Sequence, residues 1–193
     1  RELGAERGET RHVIPAIYGL FSFHEVRAEY HDCLKWGREF LRLAEERGDP
    51  PLLLQGHACL GDALLWMGRF EESLQHNEKA IALAERIGEQ RAASLSGYDA
   101  GVAARILRAI ALGYLGEHER ARAASDEAIA RARRLAEPPT LVFALFFCAV
   151  LHQALHEPRQ CLTRVDEAIA LCHAHGLADF LAWAMFWRGW AMA

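Results

Sequence analysis

Cys148, His152 and His156 fall at i, i+4 and i+8, one face of one helix, and Cys161 opens the next segment, which makes this set the best candidate for a metal centre. Cys172, His173 and His175 form a second, weaker cluster near a helix end. Packing explains the spacing equally well: His24 and Cys33, in the first part of the chain, repeat the separation of His152 and Cys161. Lone His and Cys residues on an apolar helix face are more often core residues than ligands. The expectation is therefore no metal and no cofactor. The five cysteines are an odd number without paired spacing, which reads as free thiols in a reducing, cytoplasmic setting.

Other chemistry is absent. There is no G-x-x-x-x-G-K-[ST] or G-x-G-x-x-G to cradle phosphate, and "ASLSGYD" around Ser96 is only a chance relative of a nucleophile elbow. The segment reads as non-catalytic. A formal charge of −4 with mixed signs excludes the basic face that nucleic acid requires. The longest apolar run, "LVFALFFCAVL" from Leu141, is shorter than the roughly 18 residues of a membrane span and reads as a buried helix. No signal-peptide pattern precedes it, and the expectation is no membrane association. The polar lead-in "RELGAERGETR", without an initiator Met, and the ending "FWRGWAMA", without a helix-stop signal, point to a fragment of a longer protein.

The elements that carry these residues repeat. "NEKAIALAERIG" from Asn77 returns as "DEAIARARRLA" from Asp126 and "DEAIALCHAHG" from Asp166, and Ala80, Ala128 and Ala168 mark steps of 48 and 40 residues. An earlier copy, "REFLRLAEERG", ends at Gly48, 40 residues before Gly88. Each copy follows another helical segment, and in the later three copies Gly68, Gly116 or Pro158 stands between, which is the punctuation of helix, turn, helix. Abundant Ala and Leu and few Pro residues suit helices. One domain, 1–193, is expected, with repeats at 12–48, 50–88, 99–137 and 138–176 and a half repeat at 178–193. His57, Leu60, Gly61 and Leu64 match the W-x₂-L-G-x₂-Y spacing. Small residues recur in that lattice, Gly61, Ala109, Ala149 and Gly189 facing Ser73, Ala121 and Cys161, because a larger side chain would push paired helices apart.

On these residues the chain resembles the tetratricopeptide-repeat family, with a longer period. The resemblance implies an all-α, right-handed α-solenoid of antiparallel helix pairs. The texture "YGLFSFHEVRAEY", "HACLGDALLWMGRFEESLQHNEKAIAL", "YDAGVAARILRAIALGYLG", "PTLVFALFFCAVLHQAL" and "FLAWAMFWRGWAMA" is similar to the C-terminal helical region of bacterial multidomain signalling ATPases, many with an N-terminal adenylate or guanylate cyclase domain. That likeness implies a regulatory, protein-interaction module and transfers no catalytic residue. The alternative is a sensor binding a small molecule or peptide in the concave apolar groove.

In such a stack the first helix of each pair lines the concave face. The candidate partner-binding residues are then Tyr18, Asp62, Ile106, Ile110, Phe143, Phe146, Phe147, Trp183, Phe186, Trp187 and Trp190. The insertion 89–101 that creates the 48-residue step is either a plain spacer or a loop projecting over the groove, which would add Tyr98 and Asp99; in both readings Asp99 caps the helix that starts near Val102. Expected partners are a protein or peptide, or other domains of the same chain, and the C-terminal aromatic helix is a candidate homodimer contact. The lattice makes one quantitative demand: Ala149→Leu should lower the free energy of unfolding by about 1–3 kcal/mol through overpacking, measured by denaturant titration.

Overall fold

The computed structural model describes residues 2–88 and 95–193, residues 2–12 as backbone only. The helices are α1 (Glu2–Val26), α2 (Tyr30–Arg47), α3 (Pro50–Trp66), α4 (Phe70–Ile87), α5 (Ala100–Tyr114), α6 (His118–Leu135), α7 (Pro138–Ala154), α8 (Pro158–His175) and α9 (Ala178–Met192). The described residues contain no strand. From Glu2 onward the polar lead-in is part of α1. No proline or cap separates Glu2 from His12, and Gly4 and Gly8 cost only about 1 kcal/mol each in a helix.

Each odd helix packs on the even helix that follows it, and each even helix packs on the next odd one. The odd helices also touch each other, α3 with α5, α5 with α7 and α7 with α9. Contact along one row of helices is the signature of a curved stack in which that row lines the inner face. The sequence of the inner row follows. α5 is buried at every position from Ala100 to Gly113 except Arg108, and α7 carries the apolar run, with Leu145 and Leu151 inaccessible to solvent. Fully burying each such side chain contributes roughly 1.5–3 kcal/mol. The even helices show one apolar stripe and an outer charged face, as α4 does with Ser73, Asn77, Ala80, Ile81 and Ala84 turned inward.

The small-residue lattice is a set of close approaches. Ser73 Oγ donates to the Gly61 carbonyl at 2.6 Å, and Asn77 Nδ2 donates to the Ser73 carbonyl at 3.0 Å, all buried between α3 and α4. A Cβ on Gly61 would lie 2.6 Å from the Asn77 amide. In the next pair Ser125, in the slot of Asn77, donates to Cys148 Sγ at 2.8 Å, which ties α6 to α7. Ala149 is fully buried beside Cys161 and Val165.

Both kinds of turn recur in a left-handed backbone position. Within pairs it is Ala28, Gly68, Gly116 and His156, and between pairs Gly48, Gly88, Ala136 and Gly176, all with φ between 55° and 83°. Two of the four within-pair turns share a further staple: His24 Nδ1 meets Glu29 at 2.7 Å and His152 Nδ1 meets Glu157 at 2.7 Å. The Gly residues take the left-handed position without steric cost, whereas Ala136, at φ 55°, carries a Cβ penalty of about 1–2 kcal/mol. Ala136→Gly should therefore stabilise the chain by about 0.5–1 kcal/mol once the added unfolded-state entropy is deducted, and Gly48→Ala should destabilise it by about 1 kcal/mol. Opposite shifts of the urea midpoint are the expected result.

Candidate functional site

Aromatic side chains from the inner row converge on the concave side. Tyr98 stacks on Phe143 with ring centroids 4.0 Å apart, Phe143 meets Phe147 at 4.6 Å, Phe147 meets Phe146 at 4.8 Å, and Phe146 meets Trp183 at 5.4 Å. This continuous ladder runs from the insertion to α9. It lines a cavity of about 350 Å³ together with Glu25 and Val26 at the end of α1, Tyr30 at the start of α2, and Trp66. The stack thus curls far enough for its first and last helices to line one space. Beneath it lies a smaller cavity of about 30 Å³ that shares Glu25, Tyr98, Phe143 and Phe147 and reaches Asp62, Cys59 and Tyr18.

The floor is acidic. The Glu25 and Asp62 carboxyls interact electrostatically with each other, and Trp66 Nε1 donates to Asp62 Oδ1 at 2.8 Å, which fixes the indole as part of the wall. Burial, then the facing Asp62 carboxylate, holds the Glu25 carboxyl far above the usual carboxylate range; burial also raises Asp62. One proton shared by the pair follows from this. Burial pushes the Tyr18 and Tyr98 phenols up, so both stay neutral.

Local chemistry holds Tyr98 in place. The Asp99 side chain accepts from Val102 N–H at 2.7 Å as the N-cap of α5, and the Asp99 N–H donates to Thr140 Oγ1, 3.0 Å away at the start of α7. Helix α5 starts at Ala100, two residues before the expected point. Asp99 is 5% exposed and lies 3.8 Å from Arg131, so it serves the fold and is not a groove contact. The part of the insertion before Leu95 lies outside the described residues.

The remaining candidates divide. Phe143, Phe146, Phe147, Trp183 and Trp187 line the large cavity; Tyr18 and Asp62 line the small one. Ile106 and Ile110 differ from the expectation: both are 0% exposed in the main core, because α5 has α3, α4, α6 and α7 around it. Trp190 packs against Ala149, Cys161 and Val165, away from the groove, and Phe186 points to solvent without lining the cavity. On α9 the exposed large apolar residues are Trp183, Met185, Phe186 and Met192. Glu25, Tyr30, Trp66 and Phe180 belong to the site but were not read from the sequence. Trp66, one turn after Asp62, carried a usable signal; Glu25 had none.

The cysteine and histidine face is occupied by packing contacts. Cys148 accepts from Ser125, His152 binds Glu157, and His156 sits exposed at the turn. All five cysteines are free and buried. The one grouping with ligand-like proximity among the described residues is His24, Glu29 and Asp32. Its His–Glu pair recurs at His152 and Glu157, where Gln160 replaces the second acid, which identifies a turn staple.

A tetratricopeptide-repeat family model matches residues 58–87, the second half of α3 and all of α4. No curated protein matches the chain. With that match on one helix pair and the same geometry in its neighbours, the fold is an all-α, tetratricopeptide-like solenoid. No helix of the described residues is long and apolar enough to cross a membrane.

The shared proton has a measurable consequence. A carboxyl whose folded pKa is raised binds its proton more tightly folded than unfolded, so its stabilisation is full below the unfolded value of about 4.3 and is lost as pH rises toward the folded value. Glu25→Gln imitates the protonated form and should flatten stability between pH 5 and 8 relative to the unaltered chain. Burial depresses His57, to about 4, and His76, which bends the low-pH limb downward in both proteins alike and cancels in the comparison. Parallel stability–pH curves would contradict the raised Glu25.

Proposed function

We propose that this chain is a protein-interaction module that holds a peptide segment of its partner in the aromatic groove, as a regulatory arm of a multidomain signalling ATPase. The observation that carries the binding reading is the unbroken ladder from Tyr98 to Trp183 along one side of a cavity of about 350 Å³. Pockets of this size, apolar with a few placed polar groups, are the usual form of a binding site. Trp and Phe anchors dominate interface energetics. The rim at Trp183 is half exposed, which suits entry of a chain segment better than enclosure of a small molecule. Support for the ATPase context comes from the sequence texture, and the tetratricopeptide match supports a scaffold role.

Selection of displayed peptides on the immobilised chain tests the binding reading. Selected peptides should lose affinity roughly thirtyfold on Trp183→Ala, the effect of removing an anchor worth about 2 kcal/mol, while the variant keeps its melting temperature. Peptides that bind equally well after Trp183→Ala and Phe147→Ala would place recognition elsewhere on the molecule.

A further inference from the structure

Among the described residues, the acid pair at the groove floor lacks the cationic partner that the half-buried Glu157 and the buried Asp99 have. Glu157 is bound by Arg122 and His152, and Asp99 lies beside Arg131. Glu25 and Asp62 have each other and the Trp66 indole, and none of the described residues lining the two cavities is Lys, Arg or His. Removing a shared negative charge from water without a counter-charge is costly. The cost is tolerable at a site whose occupant supplies the charge.

We propose that the groove takes a lysine-type primary ammonium from the partner peptide, its alkyl stem lying between the aromatic walls and its head seated on Glu25 and Asp62. The inference rests on the peptide-groove reading and names the anchor. Three features converge on it. The wide cavity is lined mainly by apolar and aromatic side chains, suited to a four-carbon stem, and its lining includes Trp66 and Phe147, rings of a kind that attracts a cation. Glu25 stands at the junction of the wide and narrow cavities, so a head group entering along the aromatic wall meets it first. The narrow cavity, about 30 Å³, holds one or two water-sized groups, which fits an ammonium and is too small for a planar guanidinium.

The probe is n-hexylammonium, titrated into the intact chain and followed by Trp fluorescence and chemical-shift changes, with hexanol and n-hexylguanidinium in parallel. Hexylammonium should bind at least tenfold tighter than hexanol, the factor expected for a charge-assisted hydrogen bond, and tighter than hexylguanidinium. Glu25→Gln and Asp62→Asn should each erase the preference over hexanol while leaving hexanol binding in place, which also shows that the groove remains folded. Equal binding of hexanol and hexylammonium, or no binding of hexylammonium, overturns the proposal; tighter hexylguanidinium overturns the choice of ammonium. The peptide-groove reading fails separately: groove-dependent selected peptides without a basic anchor leave that reading standing and sink this one, whereas hexylammonium binding with no groove-dependent peptide does the reverse.

Discussion

The close approach of paired helices is the constraint on which the rest of the molecule depends. At Gly61 the backbone of α3 comes so near α4 that a single added Cβ would overlap the Asn77 amide, and the buried Ser73–Asn77 hydrogen bonds replace the contacts a larger side chain would have made. With α3 held that close to α4, the even helix presents its second apolar edge, Ala80 and Ala84, to α5. Repetition of that step builds the stack. Because the odd helices also touch one another, each step turns the chain toward the odd side, and the concave groove is the accumulated result.

Curvature explains why the groove is chemically unlike its parts. No single helix pair contains a site: the aromatic wall belongs to α7 and α9, the acid pair to α1 and α3, and Tyr98 to the connection before α5. Asp99 and Thr140 fix that connection, which otherwise would leave Phe143 uncovered. Burial raises the pKa of both acids, and the facing Asp62 carboxylate raises that of Glu25 further, so the chemistry of the groove floor depends on helices α1 and α3 being brought together by the curvature of the stack.

Local features were legible in the sequence. Repeat spacing, the left-handed turn positions at Gly48, Gly88 and Gly176, the cap at Asp99 and the small residues between helices each follow from chemistry within about 40 residues. Ala136 and His156 occupy positions where glycine is usual, and only the repeat register points to them. The groove was partly legible: the aromatic run through Phe143, Phe146, Phe147 and Trp183 was visible as a face. Ile106 and Ile110 sit at equivalent register positions yet are buried, because covering by both neighbouring inner helices is a property of the stack. Glu25 was illegible for the same reason. Its partner is 37 residues away on α3, and its wall comes from helices more than 100 residues away.

Recognition of a partner by the concave groove, with its acidic floor, is open to direct test by a crystal structure of the chain with a bound selected peptide. Peptide density is expected along the ladder from Tyr98 to Trp183, with a lysine ammonium within about 3 Å of the Glu25 and Asp62 carboxyls. A peptide seated on the outer, charged faces of α2, α4, α6 or α8, with the groove unchanged, would contradict it.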